Sequence, residues 1–292
     1  MQIDRQRDPK KIGFLLVYLI VINTLCMTLF CGCVQQEQEG QIVLIGRDSA
    51  SGTREFFWTH VMGKANFSSF LLEKNSNGGI QLTVAQTPGA IGYVGLGYVD
   101  ATVKALLINN ITANVQNVIS GAYPISRELY MFTKGNATGL EREFILYIQS
   151  TEGQAIVTQE GFVPLQNTVH YDTTGKTLSG TLTVSGSTTV LPIVDKAATA
   201  FHTLFPTVTV TVTGGGSGAG ISAVSQGTVE IGMSSRDLQS SEANLGLVKY
   251  TIAKDGIIII VNLNNTYVTN LSMAQLKEIY QGMITNWKDL SK

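Results

Sequence analysis

The sequence predicts an α/β protein with mixed or parallel sheets, and three observations carry that prediction. Apolar, β-branched runs alternate with stretches of helical periodicity along most of the chain. Glycine is abundant, at 30 of 292 residues, and proline is scarce, at six, which suits many tight turns. Gly/Ser/Thr-rich turns fall where a strand meets a following helix, as in GRDSASGTRE (46–55) and TVTGGGSGAG (211–220). A chain of this length can hold a full core and two lobes.

The elements follow in order. Basic residues Arg5, Arg7, Lys10 and Lys11 precede an apolar run from Gly13 to Cys33. This reads as a secretion signal or membrane anchor over 1–33, either with Cys33 lipidated or as an uncleaved helix. Residues 34–40 form a polar tether, so 34–292 is expected outside the cytoplasm, on the outer face of the cell membrane. IVLIG (42–46) is a buried strand, and a helix follows from about Thr53 to Met62. Residues 66–74 read as helix or loop. IQLTVAQ (80–86) opens a run that alternates strand and turn, and is itself read as a strand. TPGAIGYVGLGYV (87–99), VKALLI (103–108) and ISRELYMFTKG (125–135) continue as strands and turns. Residues 138–149 and 152–160 are helical, and the polar stretch 166–179 is a linker. TLTVSGSTTV (181–190) is a strand entering a hydroxyl-rich turn, with a helix over 191–204. VTVTVTGGGSGAG (208–220) repeats that unit, with a helix over 221–226, and VEIGMSSR (229–236) is a third. DGIIIIVN (255–262) is a fully apolar strand for the middle of a sheet. A helix over 272–282 has Ser272 as its cap, and NWKDL (286–290) closes the chain.

Composition excludes some functions. Charged residues make up 14% of the chain and the formal net charge is −1, which argues against nucleic acid as a partner. All three cysteines (Cys26, Cys31, Cys33) lie in the leader, so the remainder has no disulfide, thiol nucleophile or cysteine metal site. Sequons at Asn66, Asn110, Asn136, Asn264 and Asn270 fit an exported chain. His60, His170 and His202 are scattered. No paired-carboxylate, HExxH or GxSxG pattern appears, so the chain is read as no enzyme, with no cofactor and no metal.

The turns point instead to an oxyanion. An anion stripped of water needs many donors. A helix N-terminus supplies unpaired N–H groups and the positive end of the dipole, Ser and Thr add hydroxyls, and Gly allows close approach. Gly186-Ser187-Thr188-Thr189, Gly216-Ser217-Gly218 and Ser51-Gly52-Thr53 meet this description. Arg47 adds a planar, permanently charged fork, and it is the one cation expected at the site. Asp48 reads as a brace for Arg47.

Together LSGTLTVSGSTTVLPI, VTVTGGGSGAG, VEIGMSSRDL, KDGIIIIVN, LSMAQLKEIYQGMITNWKDL, IVLIGRDSASGTREFF, TPGAIGYVGLGYV, YPISRELYMFTKG and EGQAIVTQEGFVPL resemble the periplasmic-type phosphate-binding proteins of ABC transporters, the PstS type. The resemblance covers nearly everything from Ile42 to Leu290. Its order is unusual, because in that family LSGTLTVSGSTT opens the mature protein and FVPL closes it. The chain therefore reads as circularly permuted, cut between NWKDL and IVLIGR, with the old ends joined by 166–179.

The resemblance implies a two-lobed periplasmic binding protein fold (type II) with lobes joined by two crossing strands. Lobe A would comprise 41–124 plus 263–292, lobe B 134–254, and the hinge strands 125–133 and 255–262. It further implies Arg47, Ser51, Gly52, Thr53, Thr188, Thr189, Ser217 and Ser235 as phosphate ligands. Some family members carry an aspartate at the Ser235 position to accept the proton of phosphate; Asp255 is the candidate replacement, or else simply bonds backbone. The implied function is a monomeric receptor that captures inorganic phosphate and delivers it to the transmembrane subunits of an ABC permease. The alternatives are a sensor or scaffold uncoupled from transport, and a binder of sulfate, molybdate or a phosphonate.

Overall fold

The computed structural model describes residues 40–290, which belong to one compact unit. The leader, the lipidation of Cys33 and residues 34–39 of the tether lie outside the described residues. Eleven strands are described: β1 (Val43–Arg47), β2 (Leu72–Lys74), β3 (Ala90–Gly95), β4 (Val103–Ala105), β5 (Leu107–Ile108), β6 (Ser126–Lys134), β7 (Gly180–Gly186), β8 (Val208–Gly214), β9 (Ile231–Ser234), β10 (Leu247–Asn262) and β11 (Asn270–Leu271). The described helices are α1 (Gly52–His60), α2 (Asn77–Gln86), α3 (Val115–Ile119), α4 (Gly139–Gln149), α5 (Thr151–Gln159), α6 (Leu191–Leu204), α7 (Ser217–Gln226) and α8 (Met273–Gln281). None of them is long and apolar enough to cross a membrane.

One sheet runs through this unit in the order β2-β1-β3-β10-β6-β9-β7-β8, with β4 also paired to β10. The parallel pairs β1–β3 and β7–β8 sit on opposite sides of β10. β10 is antiparallel to β6 from Leu247 to Gly256, then to β3 from Ile257 to Val261. Apolar side chains separate accordingly. One core cluster draws on residues 129–253, from Leu129 to Ala253, and is centred on Phe144, Phe201 and Met233. Another draws on 42–125, Val163 and 257–287, around Phe57, Tyr93, Tyr280 and Trp287.

Local chemistry explains the ends of the helices. Ser51 caps α1 by accepting from the Arg54 N–H at 3.2 Å. Ser272 and Gln275 form a capping box on α8, and Gly282 closes it in a left-handed conformation at φ 77°. α6 spans the predicted 191–204 and buries Ile193, Val194, Ala197, Ala198 and Phe201 at helical spacing.

Four expectations are corrected. Residues 80–86 are helical rather than extended: Ser76 caps α2 through the Gly79 N–H, and Ile80 and Val84 are buried one turn apart while Leu82 is 58% exposed. Within 66–74 no helix forms, and Leu72–Lys74 pairs with β1 as an edge strand. The strand expected over 255–262 begins at Leu247, which puts Asp255 in its interior. The helix expected from 221 begins at Ser217, so the glycine-rich turn enters its first turn.

Residues 263–290 pack on 41–124. β11 pairs with β5, and the Tyr280 ring lies 4.9 Å from Phe57 and 5.6 Å from Tyr93. The first and last described segments meet: the Trp287 N–H donates to the Gly40 carbonyl at 2.7 Å and the Ile42 N–H to that of Thr285 at 2.8 Å. The 166–179 stretch has no regular element.

Candidate functional site

The strand-end turns converge. Arg47, at the end of β1, is 1% exposed. Its Nε donates to the Lys74 carbonyl (3.1 Å), one terminal nitrogen to the Asn75 carbonyl (3.0 Å), and the other to Thr188 Oγ1 (3.1 Å). Two backbone carbonyls therefore fix the plane of the fork, and its remaining edge reaches across to the turn after β7. Burial lowers the Arg47 pKa and neighbouring Asp48 opposes the shift; a guanidinium stays charged regardless.

Ser51, Gly52 and Thr53 are buried at the head of α1, where the first amides have no intrahelical partner. Facing them are Thr188 and Thr189 after β7, Ser217 at the head of α7 and Ser235 after β9, all buried. Ser217 Oγ accepts from the Ser235 N–H at 3.0 Å. The approach is close: a Cβ on Gly52 would lie 2.2 Å from Ser217 Oγ and 2.9 Å from Ser235 Oγ. The Gly218 N–H donates to the Ala50 carbonyl at 3.0 Å, joining the two turns by backbone alone.

Sequence reasoning missed two members of this cluster. Arg127, on β6, is a second buried cation, which overturns the expectation of a single one. It donates to Thr53 Oγ1 (3.0 Å), Thr189 Oγ1 (3.3 Å) and the Ser235 carbonyl (3.0 Å). Asn77, at the head of α2, donates through Nδ2 to Thr188 Oγ1 (3.2 Å) and Thr189 Oγ1 (3.0 Å). The signal for Arg127 was an arginine in the otherwise buried run ISRELYMFTKG. Asn77 gave none, since it lies just before the 80–86 run that reads as a strand.

Asp255 lies directly across the ladder from Arg127. Its Oδ2 accepts from Arg127 at 2.8 and 3.0 Å, and its Oδ1 from the Leu96 N–H at 2.9 Å. A carboxylate offers about four lone-pair sites, and these donors take three of them. Its contacts are thus with the Leu96 backbone and with Arg127. Burial raises the Asp255 pKa, the Arg127 charge opposing.

The threonine hydroxyls accept from N–H donors, and Thr53 Oγ1 and Thr189 Oγ1 share a further hydrogen bond at 3.1 Å in which either can donate. Thr188 Oγ1 accepts from both Arg47 and Asn77. Thr189 Oγ1 accepts from Asn77 and Arg127, and Thr53 Oγ1 from Arg127. With its lone pairs taken by N–H donors, the Thr188 oxygen keeps its own proton to donate. Two guanidiniums, helix-head amides and donating hydroxyls make a cluster suited to a tetrahedral oxyanion. Among the described residues no group of His, Cys, Asp or Glu could hold a metal ion.

A family model described as a PBP superfamily domain matches residues 30–152 and 172–292. The fold and that match define a periplasmic-binding-protein-like α/β protein. The chain is 35% identical over 291 residues to "Phosphate-binding protein PstS 2" of Streptococcus agalactiae, covering 95% of this chain and 98% of the relative. A crystal structure of a phosphate-binding protein of a phosphate ABC transporter from Streptococcus pneumoniae matches with a TM-score of 0.69 and 35% identity, over 86% of this chain and 99% of that one. The PstS of Bacillus subtilis is 37% identical over 142 residues, 48% of this chain and 47% of that protein. The chain belongs to the PstS-type phosphate-binding proteins. That membership agrees with the expectation of a binding protein that is no enzyme.

Proposed function

We propose that the chain is an extracytoplasmic receptor that captures inorganic phosphate between two lobes and delivers it to an ABC permease. Lobe A comprises 41–124 plus 263–292, lobe B 134–254, and the hinge strands 125–133 and 255–262. The phosphate ligands are Arg47, Ser51, Gly52, Thr53, Thr188, Thr189, Ser217 and Ser235, to which we add Arg127 and Asn77, with Asp255 holding Arg127 in place. The observation that carries this reading is the meeting of buried donors from both sides of β10 around two guanidiniums. Two apolar clusters that divide near the same boundaries support the lobes. Closure requires a ligand that binds the closed state better than the open one, and turns from both lobes provide that difference.

The permuted order has its own support. The match to Streptococcus agalactiae runs the length of both chains, whereas that to Bacillus subtilis covers half of each. Gly40 and Trp287 touch, where the order is cut, and 166–179 bridges the other junction without regular structure. The 1–33 segment, with Cys33 lipidated or left as a helix, tethers the receptor to the membrane.

Calorimetry on the purified full chain tests the function. Phosphate should bind saturably with one site, and Arg47→Ala should abolish tight binding. An unchanged phosphate affinity in that variant sinks the assigned site. A second reading, a receptor for another tetrahedral oxyanion such as sulfate, molybdate or a phosphonate, is favoured by the three protein donors already engaged by Asp255. Titrating sulfate beside phosphate at two pH values separates the two.

A further inference from the structure

Tyr98 sits in the single 3-10 turn Leu96–Tyr98 that follows β3. It belongs to lobe A by sequence, yet its hydroxyl donates to the main-chain carbonyl of Thr188, in lobe B, at 2.5 Å. Its ring packs against the apolar cluster of residues 129–253 and also against the smaller cluster around Ile80, Val94 and Ile258. The backbone beside it is pressed against the same neighbour: a Cβ on Gly97 would lie 2.3 Å from the Glu160 carbonyl oxygen and 2.5 Å from the Phe162 ring. The turn is anchored from behind, since the Leu96 N–H donates to Asp255. Burial pushes the Tyr98 pKa up to about 12, so the phenol keeps its proton and remains a donor.

We propose that Tyr98 is a positioning residue that latches the two lobes together independently of the anion. Thr188 is then held from lobe A at two points of different kind. Its hydroxyl is held by Arg47 and Asn77, its carbonyl by Tyr98. The latch sets how long the closed state lasts, and with it the residence time of the anion, without touching the anion. It rests on the two-lobed reading given above.

The test is Tyr98→Phe in the full chain, which removes the hydroxyl and keeps the ring. One net hydrogen bond corresponds to roughly a 2- to 13-fold change in an equilibrium. Stopped-flow binding should show phosphate leaving about 2- to 10-fold faster from the variant, with the association rate within about twofold. Hydrogen exchange on the ligand-free protein should show the Gly218 amide, bonded across the cleft to Ala50, exchanging faster in the variant. A merely structural tyrosine would lower the unfolding temperature and leave both readouts unchanged, and that result overturns the latch. Tyr98→Ala, which also removes the ring, should accelerate release further; release no faster than in the phenylalanine variant would refute a contribution from the ring. If the parent binds no phosphate the proposed function fails, and Gly218 exchange still decides the latch.

Discussion

At the scale of single residues, the buried cluster proposed to hold the anion has two cations of different standing. Arg47 is held by backbone carbonyls and keeps one edge for the opposite turn. Arg127 is held by a carboxylate that is itself fully buried. Removing one partner of such a pair leaves an uncompensated charge, which costs roughly 3–5 kcal/mol. Asp255→Ala should therefore lower the unfolding free energy by about that amount in chemical denaturation. A loss below about 1 kcal/mol would mean that Arg127 finds another partner. Arg47 was legible in the sequence because arginine beside a glycine- and hydroxyl-rich turn has a plain chemical reading. Arg127 was not, because a charged residue inside a strand declares its role only once the ladder sets Asp255 opposite it. Asp255 could be singled out, but which donors reach it depends on register and on the 3-10 turn at Leu96.

At the scale of elements, most strands and helices were readable, and the failures share a cause. IQLTVAQ has the alternation of a strand, yet Ser76 offers a cap and Ile80 and Val84 are one helical turn apart. Packing of those two side chains beneath β3 and β10 selects the helix and leaves Leu82 in solvent. Alternation alone does not separate the two possibilities over seven residues. The head of α1 is a second case. Gly52 opens α1 directly after its cap Ser51, and alanine is intrinsically the better helix former. The methyl of Gly52→Ala would nonetheless meet Ser217 and Ser235. The substitution should lower thermal stability in spite of the better helix propensity, and weaken phosphate binding at least about tenfold, or about 1.4 kcal/mol. Tight binding in this variant would show that the turns before α1 and α7 need not approach so closely.

At the scale of the whole molecule, the contacts between the Gly40–Ile42 and Thr285–Trp287 segments bear on chain order. A chain re-cut within 166–179 and joined from Leu290 to Gly40 should fold and bind phosphate with an affinity within about threefold of the parent, since chain termini near one another and at the surface tolerate such transfer. Failure of that chain to fold would indicate that 166–179 contributes more than a connection. Within the fold β10 has a distinct place. It runs unbroken for 16 residues, bonded to β6 along its first part and to β3 along its second, with a register shift between Thr251 and Ala253. The two halves of the sheet thus share one continuous ribbon instead of a flexible link. Any parting of the halves has to wind this ribbon like a torsion bar, with the Arg127–Asp255 pair clamped across its middle. The elastic restoring force would then be set close to the proposed anion site, so that the same few side chains would tune both ligand chemistry and mechanical stiffness.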